Sequence, residues 1–403
     1  MKRGVMCVAV FCLVAGSAFA GEPITIGETI TMPSKIMGEE RTILISTPPG
    51  YEQSSERYPV LYMTDGDAHL THTRGTVDFL ARSGLMPQVI IVGVTNTDRT
   101  RDLTPTRVET REVNGREMQF PTSGGADRFL DFFEDELFPF VEANYRTVSM
   151  RLFSGHSFGG LFALNAFFTR PEMFNAVLSI SPSLRWDDDL PLRQAQSFFK
   201  DRKELHATLF VAMADEERGT PPPTLLDRLE QTLEMNDATG FRFEVLQMPD
   251  EDHGSVVLRA QYWGLREVFD GWRLPTNPET RVFSGSLEDL QGHYAKLSNR
   301  YGYSVVPSEN TFNGLGYQIM GRGDFDGAID VFRYNATLHP DSANVYDSLG
   351  EALENADRLE EALSSFSKAV ENGTANGDAN LGIFTANRDR VQQLVEKEMA
   401  GQS

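Results

Sequence analysis

Cysteine is almost absent from this sequence of 403 residues. The two cysteines, Cys7 and Cys12, both lie within the first twenty residues. If that segment is removed on export, the remaining protein has no disulfide, no thiol nucleophile and no cysteine metal site. Any catalysis would then depend on hydroxyl, carboxylate or imidazole groups.

Long apolar runs are also missing. The apolar stretch at residues 4–14 is too short to span a bilayer, and no later stretch is long enough either. It follows the basic residues Lys2 and Arg3 and precedes a small-x-small cleavage site at 18–20, an arrangement typical of a secretory signal peptide. We therefore expect residues 1–20 to be removed and the mature protein to be periplasmic or secreted.

Basic residues are scarce relative to acidic ones. The chain has 37 lysines and arginines against 58 aspartates and glutamates, which gives a formal net charge of −21. A surface of this sign repels nucleic acid and anionic membranes and favours solubility. The composition therefore predicts no nucleic-acid partner.

Two different patterns divide the chain, which is longer than a single hydrophobic core usually serves. In the first part, short apolar segments typical of buried strands alternate with helix-like segments. The strand-like segments are 24–32, 41–47, 59–65, 88–96, 150–155, 175–181, 208–214 and 241–248. The helix-like segments are 126–143, 160–169, 222–236 and 256–270. This alternation predicts an α/β domain over 21–275, with a mostly parallel eight-stranded sheet covered by helices on both faces.

The segment at 311–398 has a 34-residue repeat instead. Three positions recur one period later: Leu315 and Leu349, Ala328 and Ala362, and Phe332 and Phe366. This period resembles the tetratricopeptide repeat, so we expect a small all-α domain, joined to the first domain by a helical connector at 276–310. Two repeats make little concave surface. The pattern leaves open whether they bind a protein partner, mediate self-association or cap the first domain.

A glycine-rich corner at 155–159 matches the pattern G-x-S-x-G, with a predicted strand before it and a predicted helix after it. Such a corner needs glycines because the serine backbone is strained and a neighbouring segment passes too close for a Cβ atom. In this context we interpret Ser157 as a nucleophile rather than as part of a plain turn. The N–H of Phe158, the residue after it, is then one predicted donor to an oxyanion.

A serine nucleophile needs a general base, and four histidines follow Ser157 in the sequence. His206 begins a predicted strand, at the wrong end of a parallel sheet, while His293 and His339 fall in the connector and the repeats. His253 lies in the loop between the last predicted strand and the final helix of the first domain. We therefore predict His253 as the base.

The acid that orients this histidine is expected just after the preceding strand. Asp215, Glu216 and Glu217 stand there in a row, and the residue pattern does not separate them. A second oxyanion donor is expected after the strand at 59–65, in the loop that contains Gly66 and Asp67.

Four motifs in this order, YPVLYMTDG, SGHSFGG, SPSLRW and DHGS, resemble the putative-esterase family of α/β-hydrolases. That family includes siderophore esterases, S-formylglutathione hydrolases, feruloyl and acetylxylan esterases, and mycolyltransferases. The resemblance covers roughly residues 25–272 and implies the α/β-hydrolase fold with Ser157 and His253 in the catalytic roles. Family members often place the acid three residues after a strand-ending glycine, which this chain replaces with Ala214. The resemblance therefore favours Glu217 as the acid, with Asp215 as second choice.

The resemblance also implies which residues surround the substrate. It points to the Asp67 N–H as the second oxyanion donor and to Gly66, His156, Arg185 and Trp186 as substrate-binding residues. Arg185 could pair with a carboxylate on the ester. It implies an enzyme without a cofactor, so the nearby histidines at 69 and 72 are not expected to hold a metal.

The function predicted from these features is hydrolysis of carboxylic esters by an exported serine esterase. The long segment at 97–125 is expected to form a rim or lid over the acyl pocket. Siderophore triesters and feruloyl or acetyl sugars are the alternative substrates, and transfer to an alcohol instead of water stays open. An alternative of another class is a binding protein in which the repeats act and the hydrolase domain serves as a scaffold.

Overall fold

The structure, a computed structural model, describes residues 24–113, 116–216, 221–279, 283 and 285–401. The predicted signal peptide and the predicted acid Glu217 lie outside these residues. The strands are β1 (Glu28–Ser34), β2 (Glu39–Ser46), β3 (Tyr58–Met63), β4 (Ile90–Val94), β5 (Thr110–Val113), β6 (Arg116–Gln119), β7 (Thr147–His156), β8 (Ala176–Ile180), β9 (Thr208–Ala214) and β10 (Arg242–Met248).

The α-helices of the first domain are α1 (Gly66–Arg82), α2 (Arg99–Leu103), α3 (Ala126–Phe132), α4 (Phe138–Asn144), α5 (Phe158–Thr169), α6 (Leu190–Phe199), α7 (Leu225–Glu234) and α8 (Val256–Val268). The later helices are α9 (Leu287–Tyr301), α10 (Glu309–Met320), α11 (Phe325–Leu338), α12 (Ala343–Asn355), α13 (Leu359–Asn376) and α14 (Leu381–Gly401). Short 3₁₀ and π segments lie at Tyr51–Gln53 and Phe133–Leu137. Within the described residues, none of the helices combines the length and apolar character needed to cross a membrane.

Eight strands form one sheet in the order β1-β2-β4-β3-β7-β8-β9-β10. The pairs β1–β2 and β2–β4 are antiparallel, and the remaining neighbours are parallel. Every residue of β3, β4, β8 and β9 is buried, as expected for strands covered by helices on both faces. The predicted α/β-hydrolase fold with a mostly parallel eight-stranded sheet is confirmed.

The sheet separates two apolar cores because successive side chains of a strand point to opposite faces. Tyr62 of β3 joins the core packed by α3 and α5, in which phenylalanines such as Phe133 and Phe162 contact one another. Its neighbours Leu61 and Met63 join the opposite core, packed by α1 and α8. Because the parallel strands run in the same direction, their carboxyl ends meet at one edge of the sheet, and the candidate site lies at this edge.

The segment at 97–125, which was predicted to form a rim or lid, contains regular secondary structure. It contains α2 and a separate hairpin in which β5 pairs antiparallel with β6. A buried ion network fixes α2, because Asp102 binds Arg41 at 2.6 Å and Arg101 at 2.7 Å. Polar pairing of this kind leaves no apolar periodicity in the sequence.

The predicted connector contains α9, which packs onto the first domain. Leu297 and Tyr301 of α9 lie in the same apolar core as Phe269, which follows α8. The Tyr301 hydroxyl also donates to the carbonyl of Val268 at 3.3 Å. Helix α9 therefore completes one face of the α/β domain.

The segment after α9 is helical, in agreement with the predicted all-α domain. Its repeat has a packing cause that recurs with the 34-residue period. A Cβ atom on Gly316 would lie 2.5 Å from the Phe332 ring, and one on Gly350 would lie 2.7 Å from Phe366. Because these glycines have no side chain, each helix can approach the next one closely, and the phenylalanine ring of the next helix packs against the glycine backbone.

Candidate active site

Ser157 occupies the corner between β7 and α5. Its backbone has φ 62° and ψ −114°, a strained conformation for a residue with a side chain, at a cost of about 1–3 kcal/mol. The corner is held on both sides, because the Ser157 N–H donates to the Ile180 carbonyl and the Ser157 carbonyl accepts from Leu161, both at 2.9 Å. Such strain persists only where the surroundings enforce it, as at a site that presents a side chain.

The glycines of this corner are required by close backbone approach. A Cβ atom on Gly155 would collide with the carbonyl of Gly159. One on Gly159 would collide with the Thr64 hydroxyl, which follows β3. The loop after β3 therefore lies directly against the start of α5.

His253 lies in the loop between β10 and α8, where its ring bonds to Glu216. The His253 Nδ1 and Glu216 Oε1 atoms are 2.7 Å apart. The hydrogen bond that His253 donates to Glu216 raises the pKa of His253 above its usual value, and the carboxylate charge adds to this shift. Burial raises the pKa of Glu216, but the hydrogen bonds from His253 and Ser181 outweigh it and hold that pKa below its usual value. The pair can therefore orient the imidazole and stabilise its protonated form.

Glu216 is the middle one of the three carboxylates that the residue pattern left open. Glu217, which the resemblance favoured, lies outside the described residues, and Asp215 donates its backbone N–H to the Glu251 carbonyl at 3.0 Å. The strand β9 ends in a tight turn in which the Glu216 N–H donates to the Ala214 carbonyl at 2.7 Å. Because of this turn, the carboxylate that reaches His253 comes two residues after the strand.

Ser181 supports Glu216 and was not predicted from the sequence as a site residue. It follows β8 with φ 40°, and its hydroxyl accepts from the Ala214 N–H at 3.1 Å. The same hydroxyl helps to lower the pKa of Glu216. The only sequence signal was its position at the start of the SPSLRW motif, after a buried strand.

Two helix N-termini meet beside Ser157. Helix α5 begins at Phe158, and helix α1 begins at Gly66 after Asp65, which has φ 54°. The first amides of a helix have no acceptor within the helix and carry the positive end of its dipole. A Cβ atom on Gly66 would lie 2.7 Å from the backbone of Gly93, so the start of α1 is wedged against β4. The amides of Phe158 and Asp67 both belong to these first turns, as an oxyanion site requires.

Arg99 of α2 joins these two termini and was also missed by the sequence prediction. Its Nε lies 2.6 Å from Asp65 Oδ1, and its Nη2 donates to the His156 carbonyl at 3.0 Å. Asn96 donates to the same carboxylate at 2.6 Å. Burial raises the pKa of Asp65, but the hydrogen bonds and charge of Arg99 outweigh it and hold that pKa below its usual value.

His156, predicted to contact substrate, is packed within a row of imidazole rings. Its ring centroid lies 4.6 Å from that of His253 and 5.8 Å from that of His69, and His72 lies 5.1 Å beyond His69. Burial lowers the pKa of His156 to about 4, and it lowers those of His69 and His72 as well. These rings are therefore neutral around pH 7. Among the described residues, no group of three or more potential ligands is arranged to hold a metal ion.

Trp186, also predicted to contact substrate, is fully buried. Its Nε1 donates to the Thr106 hydroxyl at 3.1 Å, and its ring centroid lies 5.4 Å from Phe120 and 5.3 Å from Phe158. Trp186 therefore anchors the segment of the β5–β6 hairpin to the residue after Ser157. The preceding residue, Arg185, is exposed.

Comparison with known proteins identifies the family. The model of the family described as "putative esterase" matches residues 34–239. The siderophore triacetylfusarinine C esterase of Aspergillus fumigatus is 29% identical over 58% of this chain and 90% of its own length. The ferri-bacillibactin esterase BesA of Bacillus subtilis is 28% identical over 53% of this chain and 78% of its own length.

A solved structure shows the same fold. An IroE-like serine hydrolase from Shewanella oneidensis aligns with a TM-score of 0.63 and 29% identity, covering 77% of this chain and 99% of that protein. The family match spans half of the chain, and the aligned region contains the Ser157 corner and the strand that precedes Glu216. The chain therefore belongs to the putative esterase family and is a hydrolase that acts on esters.

Proposed function

We propose that this protein is an exported serine esterase that hydrolyses siderophore esters. In this proposal Ser157 is the nucleophile, His253 the base and Glu216 the acid. The observation that carries it is the 2.7 Å hydrogen bond between His253 and Glu216, on the same edge of the sheet as the strained Ser157 corner. The predicted signal peptide supports export.

Acylation begins when Ser157 Oγ attacks the ester carbonyl and His253 accepts its proton. Glu216 accepts a hydrogen bond from His253 Nδ1, so it selects the tautomer whose other nitrogen is unprotonated and can accept the serine proton. Glu216 raises the pKa of His253, which supports a role for this carboxylate in stabilising the imidazolium once it forms. The proton then passes from His253 to the leaving alcohol, and an acyl group stays on Ser157.

Negative charge develops on the carbonyl oxygen during the attack. The N–H groups of Phe158 and Asp67 lie in the first turns of α5 and α1 and are the donors we assign to it. Because the neighbouring rings of His156 and His69 are neutral, His253 is the imidazole of this row that takes up the proton and its charge. A water molecule activated by His253 then releases the acid and regenerates the serine.

The substrate class follows from the relatives. Two similar proteins that this chain matches over most of their length are named as esterases of siderophores. Both are less than 30% identical to this chain, so their particular siderophores are not carried over. We assign the general class, an ester within an iron-binding molecule that is taken up or released outside the cytoplasm.

The test is hydrolysis of a catecholate triester by the wild-type protein and by Ser157→Ala. We expect the variant to lose at least about 10⁴-fold in kcat, because the nucleophile is removed while the fold is kept. Ser149→Ala is the matched control, since Ser149 lies on the same strand but is exposed and donates to the Gly302 carbonyl. Activity retained in Ser157→Ala would contradict the mechanism. Hydrolysis of methyl ferulate or acetylated xylan without hydrolysis of the triester would contradict the substrate class.

A further inference from the structure

His156 is a side chain of the candidate site that has no task in the proposed mechanism. It is the last residue of β7 and directly precedes Ser157. Its ring centroid lies 4.6 Å from that of His253, with 45° between the two ring planes. This separation is within the range of direct contact between aromatic rings. The base is therefore packed against the residue that precedes the nucleophile in the chain.

The hydrogen bond to Glu216 holds only one atom of the His253 ring. It fixes Nδ1, and it permits the ring to turn about the line from Nδ1 to the Glu216 Oε1 atom. The His253 side chain is 48% exposed, so part of the ring faces solvent and is not confined there. Contact with the His156 ring limits the rotation from the protein side. A ring that cannot turn keeps its other nitrogen in the direction that proton transfer requires.

His156 is itself held in place by the elements around it. The His69 ring of α1 meets it edge-on, with 5.8 Å between the centroids and 81° between the planes. Its carbonyl accepts from Arg99 Nη2 at 3.0 Å. Close by, Thr73 of α1 donates to Gln261 of α8 at 2.9 Å, and both of these side chains are buried. The His156 ring therefore rests against packed secondary structure.

The contact uses the ring of His156 and not its Nε2 atom. This atom is buried, and it has no hydrogen-bond partner among the residues that the structure describes. Burial lowers the pKa of His156 to about 4, and the backbone of His253 and the charge of Asp65, which act in the opposite direction, do not offset it. The ring is therefore uncharged near neutral pH and does not repel the imidazolium of His253. A phenyl ring, which is also flat and uncharged, should make the same contact.

We infer that His156 is a positioning residue, whose uncharged ring keeps the His253 ring in the orientation that accepts the proton of Ser157. This inference rests on the proposed function and adds to it a residue that acts on the base. It gives one segment control over both reacting groups, because Ser157 follows His156 directly. It differs from the sequence prediction that His156 contacts the substrate, since loss of a substrate contact raises KM, whereas loss of a positioning contact lowers kcat.

The experiment compares hydrolysis of 4-nitrophenyl acetate and of the catecholate triester by the wild-type protein and three variants. In His156→Ala we expect kcat to fall about 100-fold with little change in KM, because a small displacement of a catalytic group can cost this much. His156→Phe should restore most of kcat. His156→Leu fills the space without a flat ring and should lower kcat as well, so the test does not depend on folding of the alanine variant. His206→Ala is the matched control, because His206 is exposed before the amino end of β9 and should not affect either ester.

Wild-type kcat in both His156→Ala and His156→Leu would overturn the inference, and so would a raised KM with unchanged kcat. Loss of kcat in His156→Phe as large as in His156→Ala would show that the ring is not what matters.

The pKa of His253, followed by NMR titration of its Cε1 proton, gives a readout that needs no turnover. Burial lowers this pKa, so loss of the His156 ring should expose His253 to water and raise it, while His156→Phe should leave it near the wild-type value. Glu216, Arg99 and Asp252 also act on His253 and are the same in every variant. An unchanged pKa in His156→Ala would contradict the contact. Failure of the wild-type protein to hydrolyse either ester would instead contradict the proposed function, and the titration would still decide whether the two rings are in contact.

Discussion

The guanidinium of Arg99 holds the carboxylate of Asp65, with 2.6 Å between Nε and Oδ1, and the same group donates to the carbonyl of His156. Asp65 precedes α1, and His156 precedes Ser157. One side chain thus connects the two helix N-termini to which the oxyanion donors are assigned. Their spacing matters because a displacement of about 1 Å at a catalytic site can cost about 10²-fold in rate.

Replacing Arg99 with methionine should lower kcat about 100-fold and change KM little, because the oxyanion donors lose their common support. The midpoint of thermal unfolding should also fall, since Asp65 stays buried without its cation. The double variant Asp65→Asn, Arg99→Met should recover thermal stability but not kcat. Steady-state kinetics and thermal melts check both, and wild-type kcat in the single variant would show that Arg99 has no positioning role.

Arg99 has an electrostatic effect that provides a readout beyond stability. Its charge lowers the pKa of His253, in opposition to Glu216. Loss of this charge raises the pKa of the base, and His253 must be unprotonated to accept a proton. The acidic limb of kcat/KM in Arg99→Met is therefore expected to move to higher pH, a shift that a purely structural effect does not produce.

Glu216→Gln should move the same limb in the opposite direction. The carboxylate raises the pKa of His253, so its removal lowers that pKa and shifts the acidic limb to lower pH. The value of kcat should fall by about 10⁴-fold, because the imidazole loses its orientation and the stabilisation of its charge. Asp215→Asn and Glu217→Gln are the comparisons, measured over the same pH range. Loss of activity in Glu217→Gln with retention in Glu216→Gln would reverse the assignment of the acid.

The identity of this acid shows where sequence reasoning reached its limit. The strand at 208–214 and its position before His253 were predictable from the apolar run and the order of segments. Which of three adjacent carboxylates meets the histidine depends on the tight turn after Ala214, and three consecutive acidic residues give no sign of that turn. The family's usual spacing places the acid three residues after the end of the strand, at Glu217, and therefore missed Glu216.

The β5–β6 hairpin and α2 were missed for a related reason. β6 is exposed at every residue, so the hairpin lacks the alternation of apolar and polar residues that marks a strand. Helix α2 has only five residues and is fixed by the ion pairs of Asp102. By contrast, the glycines at 155 and 159 were predictable, because the close approach that they permit is a local property of the corner.

Ser181→Ala should have a smaller effect than Glu216→Gln. The substitution removes the hydroxyl that lowers the pKa of Glu216 and accepts from the Ala214 N–H but keeps the carboxylate, so we expect kcat to fall about tenfold. The acidic limb of kcat/KM should change little. Ser183→Ala, two residues later in the same segment, is the control. A loss as large as that of Glu216→Gln would mean that Ser181 has a direct role in the chemistry.

The packing of α9 predicts where the chain can be divided. A fragment ending at residue 275 lacks Leu297 and Tyr301, and it would expose the core around Phe269 to water. We expect this fragment to aggregate, and a fragment ending at residue 306 to stay soluble and hydrolyse 4-nitrophenyl acetate at the wild-type rate.

A full-length variant tests the same contact without truncation. Leu297→Ala should destabilise the protein by about 2–5 kcal/mol, as loss of a buried leucine usually does. Replacement of the adjacent, exposed Lys296 with alanine should have little effect on the denaturation midpoint.

The truncation experiment also decides whether the helical repeats take part in the chemistry. If the fragment ending at 306 folds but has lost hydrolysis, the helical repeats contribute to the site. If it keeps full hydrolysis, their role lies outside the chemistry, in binding, self-association or stability.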